Sequence, residues 1–296
     1  MRYAVIDLGS NTFHLLIVQL DFNARSYQLI FRKRVYVYLS AGGLEAISQS
    51  AAFRGMQALL QLQSLCRAFE VEEQRLIGTS MLRSASNADA FLRQVKDRCG
   101  WDVELISGQR EAQLIHKAIK SEVKMSGENL ILDVGGGSVE FIIDVNGQLV
   151  EAVSVQQGIS VLRAWWGRQD PPSEQDVSRA TTWLDGFKSQ LQDILRAQPV
   201  TLVGASGPFE ILSDMMGPKN SYERWEVLSL LDKVLTSSLS DRSDMPGMPK
   251  SRADMSIESL FIVRWVLDRF PSITQVSVAM GTLKEGVILE RIFKLP

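Results

Sequence analysis

Histidine and cysteine are the scarce residues of this 296-residue chain, with two of each. His14 and His116 alone cannot supply a His-rich zinc site. Cys66 and Cys99 fall in expected helices without metal-ligand spacing, so they read as reduced core thiols of a cytosolic protein, not as a disulfide framework. No apolar run approaches the length that crosses a bilayer, and Met1-Arg2 lead straight into a strand with Asp7 close behind. The expectation is therefore a cytoplasmic protein with neither signal peptide nor membrane helix. Neither sign of charge is in excess: the net charge of −2 and pI near 5.9 provide no global attraction for nucleic acid or anionic membrane. The one dense basic cluster, Arg32-Lys33-Arg34, reads as a solvated strand edge, with Arg32 and Arg34 on one face and Lys33 on the other. A G-x-x-x-x-G-K-[ST] pattern is also missing, which disfavours a P-loop enzyme.

What is present is an ordinary globular composition, 45% hydrophobic and 22% charged, over a length that suits two domains. The chain is organised around residues 130–145, LILDVGGGSVEFIIDV. An apolar strand ends at Asp133, three glycines follow, and a second strand returns from Ser138. Backbone N–H groups of Gly135, Gly136, Gly137 and Ser138 can close round a phosphate oxygen, because no Cβ stands in the way. Asp133 and Glu140 flank that cup, and two carboxylates beside an anion make sense if they hold a divalent cation. The alternative is an ordinary hairpin with a bulge.

Residues 3–18, YAVIDLGSNTFHLLIV, repeat the pattern. Asp7 and Asp133 stand 126 positions apart, as do Gly9 and Gly135. The same offset sets LIGTS at 76–80 against LVGAS at 202–206, which points to an internal duplication. A phosphate held between two such cups, one from each half, is the expected site.

Between these landmarks the first half reads as a three-strand meander, then a helix over 48–70 whose Phe53, Met56, Leu59, Leu60, Leu62 and Leu65 form a core face. A short strand at 75–78, a helix capped by Asn87 and a strand at 103–106 follow. Glu111 falls in the first turn of the next helix, where a carboxylate complements the macrodipole, yet this turn also leaves a strand end of the kind that lines ligand crevices. The second half repeats the order: strands at 130–133, 138–145 and 148–155, a short helix at 158–166, and a long helix over 173–197 capped by Ser173. A strand at 200–204 precedes helices at 222–240 and 253–270, and a closing strand at 274–278 with its turn at Gly281 matches 104–108 at an offset of 173, implying a 47-residue helical insertion. Trp165, Trp166, Trp183, Trp225 and Trp265 fall in these helices and read as packing.

With both glycine turns and the turn before Glu111 in view, the chain resembles the exopolyphosphatase and guanosine pentaphosphate phosphatase (Ppx/GppA) family of the actin-like ATPase superfamily. The resemblance covers nearly the whole chain through VIDLGSNTFHLLI, GTSMLRSASN, ISGQREAQLI, LDVGGGSVEFII and PGMPKSRADM, in the family's order. It implies an α/β fold of two duplicated actin-like (ribonuclease H-like) domains, residues 1–124 and 125–296, with an interdomain cleft and the insertion at about 207–270. It implies a hydrolase that releases orthophosphate from the terminus of inorganic polyphosphate or from guanosine pentaphosphate. The family's catalytic glutamate falls on Glu111 and its phosphate-contacting arginine on Arg83. Its phosphate loops fall on Gly9, Ser10, Asn11 and Thr12 and on Gly135, Gly136, Gly137 and Ser138. Its metal-binding acids fall on Asp133 and Glu140, with Asp7 a further carboxylate, so Mg²⁺ or another divalent cation is the implied cofactor.

Three departures stand out: Gln109-Arg110 and Gln113 replace charged family positions, 38–43 replaces Arg-Leu-Gly-Glu-Gly, and Gly204 to Pro208 replaces a Gly-Thr-Gly-Gly-Thr turn. They bear on local electrostatics, substrate choice and nucleotide binding. The modest charge and an end at Pro296, without the extra C-terminal domains of longer family members, lean towards shorter phosphate chains or a nucleotide without excluding polyphosphate. A kinase of the same superfamily and a weakly catalytic polyphosphate or pentaphosphate sensor are the alternatives. Nucleic acid and membrane are not expected partners; a homodimer through the insertion is.

Overall fold

The computed structural model describes residues 1–41, 43–166 and 169–293. Its contacts gather the chain into two units, Met1–Ala118 with Leu283–Pro296, and Ile119–Thr282.

In the first unit β1 (Arg2–Leu8), β2 (Thr12–Asp21) and β3 (Ser26–Tyr36) form the expected meander. Next come α1 (Gln49–Ala68), β4 (Glu73–Gly78), α2 (Ser80–Ser84), α3 (Ala88–Cys99), β5 (Val103–Leu105) and α4 (Gly108–Glu122). The sheet runs β3-β2-β1-β4-β5, with β4 parallel to β1 and β5 parallel to β4. Strand alternation sends Ala4, Ile6 and Leu8 of β1 and Phe13, Leu15 and Ile17 of β2 into a core shared with Met56, Leu59 and Leu62 of α1. Asp7 and His14, directly opposite one another, take the other face. β3 is the sheet edge, and Arg32 and Lys33 are exposed there, in keeping with a solvated basic run.

Two expectations need correction. Phe53 is 63% exposed, because the buried seam of α1 runs through Ala51, Gly55, Ala58, Leu62 and Cys66 and a residue two positions off that seam faces the opposite side. Asn87 precedes α3 but does not cap it; its side chain accepts from Ile47 N at 2.8 Å and donates to Ile47 O at 2.9 Å, tying down the loop before α1. Both cysteines are buried free thiols, and burial pushes Cys66 up to about 11, as suits inert core residues.

The second unit contains β6 (Glu128–Val134), β7 (Val139–Val145), β8 (Gln148–Val155), α5 (Ile159–Trp165), α6 (Glu174–Asp185) and α7 (Gln192–Arg196). β9 (Thr201–Ala205), α8 (Gly207–Met216), β10 (Tyr222–Glu223), α9 (Arg224–Leu235) and α10 (Leu239–Ser243) follow, then a 3₁₀ turn (Ala253–Met255), α11 (Ser256–Arg269) and β11 (Gln275–Val278). Its sheet order is β10-β11-β9-β6-β7-β8. Apart from β10, that is the order of the first sheet, element for element. The duplication extends to register: Asp133 faces Glu140 as Asp7 faces His14. Leu130, Leu132, Phe141 and Ile143 pack into one core with Phe209 of α8, Leu231 of α9 and Leu260 and Val263 of α11.

The long helix expected over 173–197 is two helices. Ser173 does cap α6, within a capping box with Asp176, but α6 stops at Asp185. There the carboxylate is taken by Lys188, by Trp265 Nε1 at 3.0 Å and by Arg269, and the chain turns before α7. β10, antiparallel to β11, occupies the start of a stretch expected to be helical. Trp265 is buried and Trp166 packs edge-on against Phe261 at 4.7 Å, but Trp165 and Trp225 are 56% and 70% exposed and are not core.

One last helix, α12 (Leu283–Phe293), lies beyond the expected elements. It packs against β1 and β2 and joins the first unit, whereas the duplication counts residues 125–296 together. Glu73 pairs with Arg291 at 2.9 Å and Arg75 with Glu290 at 3.2 Å, fastening it there. Among the described residues no helix is long and apolar enough to cross a membrane.

Candidate active site

The first unit holds one glycine turn and the Arg83 and Glu111 candidates. Gly9 N donates to Thr12 O at 3.1 Å, and a Cβ on Gly9 would come within 2.9 Å of that oxygen, so the turn between β1 and β2 closes only on glycine. Its outer carbonyls are engaged by the segment after β3: Val37 N and Tyr38 N both reach Asn11 O at 2.9 Å, and Ser40 N reaches Ser10 O at 3.2 Å. In a trans peptide the N–H points opposite its carbonyl, so the Asn11 and Thr12 N–H groups are turned away from that segment. Ser10 Oγ is buried and has no hydrogen-bond partner among the described residues. The departure at 38–43 thus serves as a brace for the turn; Gly42 lies outside the described residues.

Arg83, at the end of α2, and Glu111, in the first turn of α4, meet. Arg83 Nη1 donates to Glu111 Oε2 at 2.7 Å and to Ile106 O at 3.0 Å, with both side chains largely buried. Arg83 Nη2 is buried and has no acceptor among the described residues. Ser107 starts α4: its hydroxyl accepts from Arg110 N at 3.1 Å and its carbonyl from Glu111 N at 2.9 Å, which sets the direction of the glutamate. Arg110, one of the departures, pairs with Glu290 of α12, so its charge is neutralised there and does not add to the pair at Glu111.

The second unit holds the other glycine turn and the Asp133 and Glu140 candidates. Asp133 is the penultimate residue of β6 and Glu140 the second of β7; the two are direct cross-strand neighbours, and both are buried. Glu140 Oε1 accepts from Ser154 Oγ of β8 at 2.7 Å. Gly135 N closes the intervening turn on Ser138 O at 2.9 Å, the same bond as in the first cup. The carbonyls of Gly135, Gly136 and Gly137 accept from the N–H groups of Ile159, Ser160 and Gly158 at 3.0, 2.8 and 3.1 Å. The turn therefore satisfies the otherwise open N-terminus of α5, and its own N–H groups of Gly136, Gly137 and Ser138 face the opposite way, as an anion cup requires. Gly158 is obligatory, since a Cβ there would lie 2.5 Å from the backbone of Gly135 and Gly136.

Ser206, at φ +72°, joins this turn to β9: its hydroxyl accepts from Val134 N at 3.1 Å and lies 3.2 Å from Val134 O. Pro208 lies in the first turn of α8, where a missing N–H leaves no bond unmade, and Arg252 from the PGMPKSRADM segment reaches Gly207 O at 2.9 Å and the Glu210 carboxylate. The 204–208 departure is thus an intact helix start.

Sequence reasoning named Arg83, Glu111, Asp133, Glu140 and both cups. It missed Ser154, Ser206, Gly158 and Ser40, whose only local signals are a small or hydroxyl side chain, and it assigned His14 no role. Among the described residues no cluster of three or more His, Cys, Asp or Glu side chains stands ready to hold a metal. Asp133 and Glu140 nevertheless suit one. Two adjoining buried carboxylates repel unless a cation lies between them, and Mg²⁺ is bound by one or two carboxylates with water and substrate phosphate completing its shell.

Two sheets of one topology, each centred on a strand that carries an aspartate near its end, a glycine turn and a returning strand, define a duplicated α/β protein of the actin-like class. A model of the Ppx/GppA phosphatase family matches residues 17–295, and the chain belongs to that family. An exopolyphosphatase from Cytophaga hutchinsonii superposes with a TM-score of 0.91 at 28% identity, covering 100% of this chain and 99% of that one. The Ppx/GppA family member of Aquifex aeolicus, at 24% identity and a TM-score of 0.80, covers 99% of this chain and 98% of its own and shows the same fold. Among curated relatives, the guanosine-5'-triphosphate,3'-diphosphate pyrophosphatase of Vibrio atlanticus is 30% identical over 311 residues, 98% of this chain and 59% of that protein. The Photobacterium profundum protein of the same name is 29% identical over 313 residues, 99% of this chain and 60% of that protein. The chain thus spans about three fifths of the length of these two relatives.

Proposed function

We propose that this chain is a phosphoanhydride hydrolase that releases orthophosphate from the end of inorganic polyphosphate or from guanosine pentaphosphate. The observation that carries the reading is the Arg83–Glu111 pair, in which one guanidinium nitrogen holds the carboxylate and the other is buried with no acceptor. A buried unsatisfied donor costs about 1–3 kcal/mol, which a phosphoryl oxygen docking on Arg83 Nη2 would recover. Glu111, fixed beside that oxygen, orients the attacking water and takes its proton. The transfer demands positioning and charge neutralisation more than covalent chemistry. Gly9, Ser10, Asn11 and Thr12 and Gly135, Gly136, Gly137 and Ser138 present N–H and side-chain donors to phosphate oxygens. Asp133 and Glu140, with Asp7 as a further acid, would hold a divalent cation, Mg²⁺ in this reading, which neutralises charge on the transferred group. The names of the relatives support both substrates, and a cytoplasmic setting and a homodimer complete the proposal.

The test measures orthophosphate release with Mg²⁺ from long polyphosphate and guanosine pentaphosphate in parallel. Glu111→Gln should lower release on the order of a thousandfold, in the range for loss of a general base, while ligand binding persists. Unchanged turnover would defeat the assignment of Glu111. Tight binding without release from either substrate would favour the sensor, and phosphoryl transfer to ADP without orthophosphate the kinase.

A further inference from the structure

The two halves differ at one informative place. His14 and Glu140 stand 126 positions apart and hold the same register, opposite Asp7 and Asp133 respectively. Where the second half has a carboxylate bonded to Ser154, the first has an imidazole whose Nε2 lies 2.7 Å from Oγ1 of Thr12, the residue whose backbone carbonyl closes the Gly9–Thr12 turn. The neighbouring residue of the turn is held in a similar way: Ser40 Oγ donates to Asn11 Oδ1 at 3.0 Å.

A hydroxyl has one proton to give. If Thr12 gives it to His14, only oxygen lone pairs remain for a phosphate, and they repel it. If His14 Nε2–H is the donor, the Thr12 proton is directed to the anion. The same logic holds for Asn11: with Oδ1 occupied by Ser40, its NH₂ end lies on the opposite side of the amide. The buried hydroxyl of Ser10, without a partner, lies in the same turn.

We infer that His14 and Ser40 are positioning residues that fix Thr12 and Asn11 as hydrogen-bond donors in the first phosphate turn. The inference rests on reading Gly9–Thr12 as a phosphate loop. It gives Ser40, in the stretch that departs from the family's Arg-Leu-Gly-Glu-Gly, a role in anion binding that acts through Asn11, without contact to substrate.

Two double-mutant cycles test it, read as the affinity for inorganic phosphate and as KM and kcat for polyphosphate. Thr12→Val and His14→Leu should each weaken phosphate binding about tenfold, as loss of one charge-assisted bond does, and the double variant no further, because His14 acts only through Thr12. KM should rise by a similar factor, more than kcat falls. His14→Gln, whose amide can donate as Nε2–H does, should recover most of the loss. Asn11→Ala and Ser40→Ala should behave as the second non-additive pair, and that cycle decides the matter if His14→Leu does not fold. Additive losses, near a hundredfold in the doubles, would overturn the inference. Wild-type protein that binds no phosphate would overturn both the inference and the phosphate-loop reading, whereas non-additive binding losses without hydrolysis would leave the inference standing and overturn only the hydrolase.

Discussion

Two buried glutamates show how much a partner matters. Glu111 shares a hydrogen-bonded pair with Arg83. Glu258 on α11 is also buried, but its Oε2 has no partner among the described residues, and Arg163, 3.9 Å from its other oxygen, is committed to Asp254 through two bonds of 2.9 Å. Burial therefore pushes the Glu258 carboxyl above the ordinary range, with Arg163 only partly offsetting it. Below the pKa of the unfolded chain, about 4.3, both states are protonated and burial carries no penalty. As pH rises past that value the unfolded chain ionises first, and the fold loses stability until the folded group also ionises. Glu258→Gln should accordingly raise the unfolding temperature by about 2–4 °C at pH 8, the response to about 1 kcal/mol, and leave it nearly unchanged at pH 4. An equal shift at both pH values would show that packing, not charge, is responsible. Neither partner set was legible in the sequence, since Glu111 and Arg83 are 28 positions apart and Arg163 and Glu258 farther still.

At the scale of elements, α5 and the second glycine turn form one unit, because the first N–H groups of the helix end on the carbonyls of the turn. Gly158→Ala places a Cβ 2.5 Å from the Gly135 and Gly136 backbone and must shift either the helix or the cup. Phosphate affinity and orthophosphate release should both fall, about tenfold or more, while circular dichroism stays native; full activity in the variant would show that α5 does not position the turn. The glycine run was plain in the sequence and Gly158 was not, because what makes it necessary is a backbone 22 positions away. Helix boundaries failed for a related reason. α6 was extended too far because propensity continues past Asp185, whereas the bonds from Trp265 and Arg269 that accompany its end come from α11. Burial alone would raise the Asp185 carboxyl, but those donors together with Lys188 outweigh it and hold the group at about 2.

At the scale of the whole chain, duplication accounts for two sheets of the same order but not for the return of α12 to the first unit. Val287, Ile288 and Ile292 are buried there, and each aliphatic side chain is worth roughly 1.5–3 kcal/mol when fully buried. Their sum is comparable to the whole stability of a typical domain. A chain ending at Thr282 should therefore lose cooperative unfolding of its first unit, seen by calorimetry or hydrogen exchange in β1 and β2. Retained protection of those strands would show that α12 is dispensable.

The sequence by itself determined the strand alternation, the two glycine turns, the offset of 126 that relates them and the acids at their edges, because each depends on residues a few positions apart or on a repeated spacing. Only the tertiary structure decided which side chains meet: Arg83 with Glu111, Ser154 with Glu140, Ser40 with Asn11, and Arg110 with Glu290. A hydrogen bond needs its donor and acceptor within about 3 Å, and for groups on different elements that distance is set by the packing of the elements between them, which no spacing along the chain records.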